Sequence, residues 1–359
     1  MLLAAGLGER MLPLTRRIPK PAIPVLGRPM IIQVLRQLAR QGVRFVVMNL
    51  HHLPESLQTL LGNGTELGLD VLQYSNEEQI LGTSGGIHHA AKYLRDGDTI
   101  LVRNADFLAD IDLAAATAAH VASGCLATMV LAQWRPGYTP IEVDRAGRVV
   151  SIGGEPRALP QDIAGRYLFT GLHLIEPEVL DLIPQNGPSD MVRDVYLHLA
   201  SDGSIASYVH SGFWWEFGSL RNFLEGSLQL LSMRTEERIH IAETDPIRCV
   251  GTARVAVGAG ADFHGGVELV GRVALGFASF VGEGAVLEDS VVMAEGWIGP
   301  GSKLTRVIVA PEAEVPAGFE IQHALLCPDP EPELELPATM ERHHGLLIRR
   351  FGGEKTENS

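Results

Sequence analysis

The sequence predicts an α/β unit built on a mostly parallel sheet, followed by a second unit wound on a six-residue repeat. Three observations carry this. Short apolar strands and amphipathic helices alternate from residue 1 to about 231. A charged stretch, SMRTEERIHIAETDPIR, occupies 232–248 and reads as a linker. Beyond it the apolar period changes to six and persists to about 327.

The elements follow in order. Met1 to Ala5 is an apolar strand running into a glycine turn at Gly6 and Gly8. Because this strand starts at residue 1, residues completing it are expected upstream of Met1. Pro29 to Gln41 carries Met30, Ile31, Val34, Leu35 and Leu38 on one helical face and stops at Gly42. Arg44 to Leu50 and Asp98 to Val102 are apolar runs suited to strands buried on both faces. Between them come a helix near Pro54 to Leu61, a strand near Leu69 to Tyr74 and a helix from Ser84 to Leu94, with Ser84 readable as its N-cap. The helix Leu113 to Ala122 and the strand Leu126 to Trp134 follow, with Asp110 and Asp112 as turn and cap residues. Such alternation places helices on both faces of the sheet and ligands at the carboxyl ends of its strands. Gly6 to Arg10, Asn104 to Asp106 and the start of the Ser84 helix all fall there.

In the second unit, steps of six from Val257 meet Phe263, Leu269, Leu275, Val281, Leu287 and Met293. Two positions before each stand Val255, Ala261, Val267, Val273, Ser279, Ala285 and Val291, all small or β-branched. Gly258, Gly276 and Gly282 follow the main position, and a register slip is expected near Trp297. The pattern resembles the hexapeptide repeat of left-handed parallel β-helices. After Cys327 the acidic, proline-rich PDPEPELELP begins a segment, 328–359, expected to be a mobile tail.

Composition narrows the function. At 359 residues the chain can hold two cores, and 46% hydrophobic with 20% charged residues is ordinary for a soluble protein. The net charge of −14 argues against a nucleic-acid or anionic-membrane partner. Cys125, Cys249 and Cys327 lie far apart, giving neither a disulfide framework nor a zinc site and fitting a reducing cytoplasm.

The opening run, L-A-A-G-x-G-x-R-x-x-P-L-T-x-x-x-P-K-P from Leu3 to Pro21, suits a nucleoside triphosphate. Its glycines let backbone N–H groups close on phosphate oxygens, and Arg10 and Lys20 can neutralise a departing pyrophosphate. It lacks the third glycine of a dinucleotide fingerprint and the Gly-Lys-Ser/Thr of a P-loop. As an ordered whole it resembles the signature of the sugar-nucleotide pyrophosphorylases, nucleotidyltransferases acting on sugar 1-phosphates. The resemblance continues through Leu81-Gly82-Thr83-Ser84-Gly85-Gly86, Asn104-Ala105-Asp106, Phe169-Thr170-Gly171-Leu172 and Trp214-Trp215-Glu216-Phe217-Gly218-Ser219.

That resemblance implies a Rossmann-like mixed sheet followed by a left-handed β-helix, and transfer of a nucleotidyl group from an NTP to a sugar 1-phosphate. It implies catalytic roles for Arg10, Lys20 and Asp106, and Mg²⁺ held by Asp106 and Glu216. Leu3, Ala4, Ala5, Gly6, Gly8, Glu77, Gly82 and Thr83 would bind the nucleotide. Tyr138, Glu155, Arg157, Thr170 and Gly171 would face the sugar phosphate. The chain departs from the family pattern at Thr139 (glycine in the family), around Glu155 and Pro156 (where the family has a lysine between them) and at Glu216 (aspartate). Mannose-1-phosphate guanylyltransferases look most alike, with uridylyltransferases for glucose or amino-sugar 1-phosphates close behind. A non-catalytic regulatory or sugar-nucleotide-sensing homologue is the alternative, and His264 in the repeat leaves an acyltransferase reading open. The last coil of a β-helix exposes strand edges, so a homo-oligomer is expected.

Overall fold

The computed structural model describes residues 1–95, 99–157, 159–329 and 336–351. The strand Leu2–Leu3 lies inside the N-terminal sheet, parallel to Phe45–Leu50 on one side and Ile100–Asn104 on the other. Val71–Asn76 extends the parallel half outward. Beyond Ile100–Asn104 the sheet changes direction: Gly165–Ile175 runs antiparallel both to it and to Ala127–Gln133. The last residues of strands Leu2–Leu3 and Ile100–Asn104 are therefore neighbours, and the two loops that follow them emerge at one edge. The expected strand from Asp98 is seen from Ile100; Asp98 lies outside the described residues.

The helix Met30–Arg40 buries its apolar stripe against the sheet and ends, as its sequence directs, where Gly42 takes φ +90°. Asp112 caps the helix Leu113–Ser123 by accepting from Ala115 N–H at 2.9 Å. Ser84 is no cap. The helix starts at Gly82, and the Ser84 hydroxyl is buried within it, 2.8 Å from Ser189 Oγ.

The C-terminal repeat forms a parallel β-helix. Arg254 pairs with Arg272, and Glu268 with Val286, each eighteen residues on, or three hexads per coil. Between Val270 and Val273 the register slips, and Val273 pairs with Ser290, Val291 with Ile308 and Ile308 with Leu325, seventeen residues on. The slip expected near Trp297 thus falls at Asp289. This residue adopts φ +43° and accepts hydrogen bonds from Arg272 N–H, Nε and Nη2 at 2.8–3.1 Å. One residue of slip exchanges the two faces of a strand. Val291 and Met293, inward by a strict six-residue step, join Ala256, Ala274 and Ile308 on the face packed against the helix Leu220–Ser232. Val292 takes the interior place next to Leu275.

Both ends of the coil are closed by antiparallel strands of the same chain. Ile247–Val250, which straddles the expected boundary between linker and repeat at 248/249, covers Ala253–Val257. Leu346–Arg350 covers Ala324–Pro328 and pairs in turn with Met340–His343. Residues 336–351 were expected in a mobile tail and form this hairpin instead, because Leu346, Leu347, Ile348 and Phe351 have a core to bury into. The remainder of that segment, 330–335 and 352–359, lies outside the described residues. The strand edge from which a homo-oligomer was expected is covered by this hairpin. Among the described residues no helix is long and apolar enough to cross a membrane.

Gly276 shows how tightly the coils stack. A Cβ there would sit 2.7 Å from Ala294 N and Met293 C, backbone atoms of the next coil that cannot swing away. Gly276→Ala is expected to lower stability by about 1–3 kcal/mol, read as a lower urea midpoint at unchanged m-value.

Candidate active site

The loop after the first strand is shaped by two differently used glycines. Gly8 has φ +67°, and its carbonyl accepts from Thr15 Oγ1 at 2.9 Å and from Met11 N–H at 2.8 Å, tying the loop into a compact knuckle. A side chain there would meet Thr15 Cγ2 at 2.8 Å, so Gly8 shapes the loop; it does not line the cavity beside it. Gly6 faces open space, with nothing within 4 Å of where a Cβ would be. It borders a cavity of about 220 Å³ together with Leu3, Ala4, Ala5, Lys20, Glu77, Gly82, Thr83, Asn104 and Asp106.

Four charges meet at this end of the sheet. Lys20 Nζ lies 2.5 Å from Asp106 Oδ2, and Arg10 Nη2 lies 3.0 Å from Glu216 Oε1. Two strands hold the acids together. Glu216 pairs with Phe107 across a short antiparallel ladder, and Phe217 N–H donates to Asp106 O at 2.8 Å. Burial would raise the Asp106 pKa, but the charges of Lys20 and Arg10 and the lysine hydrogen bond outweigh it and hold the carboxyl below its usual range. Glu216 moves the other way: burial and the neighbouring Asp106 charge push it up, against Lys20 and Arg10. Tyr138 donates to Glu216 Oε2 at 3.3 Å, and its own pKa is pushed up to about 12 by burial and by the glutamate. Gly218 makes the longer side chain of Glu216 possible, since a Cβ at Gly218 would collide with Glu216 Oε1 and with Arg10 Nη2.

Among the described residues no cluster of three or more His, Cys, Asp or Glu forms a metal cage. Two carboxylates that repel each other nevertheless suit Mg²⁺, which takes one or two from protein and completes its octahedron with phosphate oxygens and water. The donor set of Asp106 and Glu216 fits that pattern.

At the other end of the cavity the polar groups are committed to one another. Asn49 accepts from Ala4 N–H at 2.8 Å and donates to Glu77 Oε1 at 2.7 Å, while Leu81 N–H donates to Glu77 Oε2 at 3.1 Å. Each Glu77 oxygen keeps a further lone pair for a ligand. The Thr83 hydroxyl donates to Asp190 Oδ2 and accepts from Met191 N–H, so it fixes the loop bearing Asp190. Gly82, φ +75°, lies so close to Ser189 that a Cβ would meet its carbonyl oxygen at 2.3 Å.

The sugar-side residues divide. Gly171, φ +82°, lets Asn104 lie against it; a Cβ would meet Asn104 Nδ2 at 2.7 Å. Thr170 is turned inward: its hydroxyl is buried and donates to Val130 O at 2.7 Å, and its carbonyl accepts from Trp214 Nε1 at 2.9 Å. Its hydroxyl and carbonyl are thus engaged in supporting the wall. Glu155 and Arg157 lie on an exposed turn, and neither side chain has a hydrogen-bond partner among the described residues. That turn is anchored to the Tyr138 loop through Gly153 N–H to Pro140 O at 2.8 Å. His264 is exposed, its Nδ1 2.8 Å from Gly265 O, and it forms no ion pair among the described residues.

The sequence pattern missed Asn49, Asp190 and Arg103. Arg103 is buried under the site, donating to Phe107 O at 2.8 Å and to Gln37 Oε1 at 3.2 Å, with its guanidinium 4.2 Å from the Phe107 ring. The only signal for it was a charged residue inside the apolar strand ILVRN.

A family model for nucleotidyl transferases matches residues 1–233. The chain is 30% identical over 327 residues to mannose-1-phosphate guanylyltransferase of Mycobacterium tuberculosis, covering 90% of this chain and 82% of that one. It is 27% identical over 340 residues to UTP–glucose-1-phosphate uridylyltransferase of Synechocystis sp., covering 86% of each. A crystal structure of a putative glucose-1-phosphate thymidylyltransferase from Bacillus anthracis superposes with a TM-score of 0.55 at 18% identity, over 65% of this chain and 95% of that one. With the fold and the family model in agreement over the N-terminal sheet, the chain belongs to the nucleotidyl transferase family.

Proposed function

We propose that the protein transfers a nucleotidyl group from a nucleoside triphosphate to a sugar 1-phosphate, releasing pyrophosphate. The observation that carries this is the meeting of Lys20–Asp106 and Arg10–Glu216 at the rim of the cavity formed by Leu3 to Gly6. The curated relatives reported above are named for this chemistry.

A phosphate oxygen of the sugar phosphate attacks the α-phosphorus in line, and the bond to the pyrophosphate oxygen breaks. No protein nucleophile is needed, so the chain contributes position and charge. Backbone around Gly6 faces the triphosphate, and Arg10 and Lys20 take up the charge that grows on the pyrophosphate. Asp106 and Glu216 would hold Mg²⁺, which when bound draws charge off the reacting phosphate. Tyr138, Gly171 and the Glu155–Arg157 turn border the acceptor side, and Arg157 is the cation we assign to the sugar phosphate. We put guanylyl transfer to mannose 1-phosphate first. Glu77 is an acceptor at the base end, and guanine offers two adjacent N–H donors where uracil offers one. Uridylyl transfer to a glucose or amino-sugar 1-phosphate is the second pair.

Pyrophosphate release across the four NTPs and a panel of sugar 1-phosphates with Mg²⁺ tests the reading; no turnover with any pair would sink it and favour a sensor. Asp106→Asn is expected to cut kcat by at least about 100-fold while the melting temperature stays within a few degrees. The pH profile carries a second expectation. Glu216 is raised, so it gains a proton first as pH falls, and the acid limb of kcat/KM should begin above the usual glutamate range. A profile flat down to that range would contradict the assignment.

A further inference from the structure

The turn Glu9–Met11 carries Arg10, and its carbonyl end is capped from the far end of the chain. A 3₁₀ turn leaves the carbonyls at its end without intrahelical donors; here Glu9 O already accepts from Leu12 N–H at 3.2 Å, and the carbonyl left for an outside donor is Leu12 O. Arg349, on the hairpin strand Leu346–Arg350, places one guanidinium nitrogen, Nη1, 2.9 Å from Leu12 O and 3.3 Å from Glu9 O. A cation at this end also meets the negative pole of the turn. The strand behind the guanidinium is pinned. Ladders run along both its edges, and Leu347 and Phe351 are buried in the same core as Met11 and Leu14. A second contact across this junction, Arg17–Glu312 at 2.9 Å, joins two side chains that are each at least half exposed, and such pairs contribute little.

We infer that Arg349 is a positioning residue for the nucleotide site: by capping the Glu9–Met11 turn from the C-terminal hairpin, it fixes Arg10 where its guanidinium meets Glu216 and an arriving triphosphate. The kinetic side of this rests on the proposed reaction; the contact itself does not. Without the cap, the turn frays and the nucleotide must order it on binding. The loss therefore falls on nucleotide affinity and spares both the chemical step and the acceptor.

Arg349→Ala is expected to raise KM for the NTP by about 5- to 20-fold, with kcat and the KM for sugar phosphate changed less than about twofold. Arg349→Lys should recover part of the loss, since an ammonium can donate to the same carbonyls. Glu312→Gln, which weakens the other contact, should leave both KM values unchanged. Hydrogen exchange at the Gly8–Leu12 amides should quicken in Arg349→Ala and not in Glu312→Gln. That readout needs no turnover, so it separates failure of this inference from failure of the proposed reaction. Unchanged exchange, or an unchanged KM for the NTP, overturns the inference. A lowered melting temperature with both KM values intact also overturns it, marking Arg349 as structural only.

Discussion

Two carboxylates forced together at the edge of a sheet are the constraint around which the rest is arranged. Asp106 sits in the turn that enters the strand Phe107–Ala109, and Glu216 pairs with Phe107 on the neighbouring strand. Burial together with the Asp106 charge raises Glu216. Partly buried charges of one sign need partners, and the partners here, Lys20 and Arg10, come from a loop far away in sequence. The loop is therefore positioned by the acids as much as by its own glycines. In the proposed reaction phosphates would compete for the two cations, leaving Asp106 and Glu216 as the residues that would hold Mg²⁺. The four side chains balance the site's charge among themselves.

The second constraint is the helix Leu220–Ser232. Leu220, Phe223, Leu224, Leu228, Leu230 and Leu231 are all buried, and the core they belong to runs from the sheet to the outer face of the β-helix. Fully burying each such side chain is worth about 1.5–3 kcal/mol, so the repeat is packed onto the N-terminal sheet and is no loosely tethered module. The slip at Asp289 matters here because it sets which face of the later coils is apolar outside as well as inside.

Much of this was legible from residue order. Helices with a clean stripe, such as Met30–Arg40, and buried strands such as Phe45–Leu50 follow from local pattern alone. The ordered signature from Leu3 to Pro21, read with the acids at Asp106 and Glu216, pointed to the four charges that the fold brings together. Other features depend on contacts between distant segments and carry no local sign. Thr170 fits the family block, yet its hydroxyl faces Val130; Thr83 fits, yet Asp190 occupies it. The hexad count was correct until a single residue was lost at Asp289, after which a pattern of alternating small and large apolar residues looks the same in either register. The hairpin at 340–350 was hidden behind an acidic, proline-rich prelude, and only the exposed edge of the last coil shows why a Leu-Leu-Ile run is needed there.

The reach of Arg349 has a consequence for how the molecule is made. Its contact with Glu9 spans 340 residues of chain. At roughly 5–20 residues per second, a ribosome needs on the order of 20–70 s to pass from one to the other. The loop that carries Arg10 is among the first segments to emerge, and the group that caps it is among the last. A nascent chain can assemble its sheet and most of its coils during that interval while the knuckle around Gly8 still lacks its final brace, so the loop that carries Arg10 is completed only near the end of synthesis.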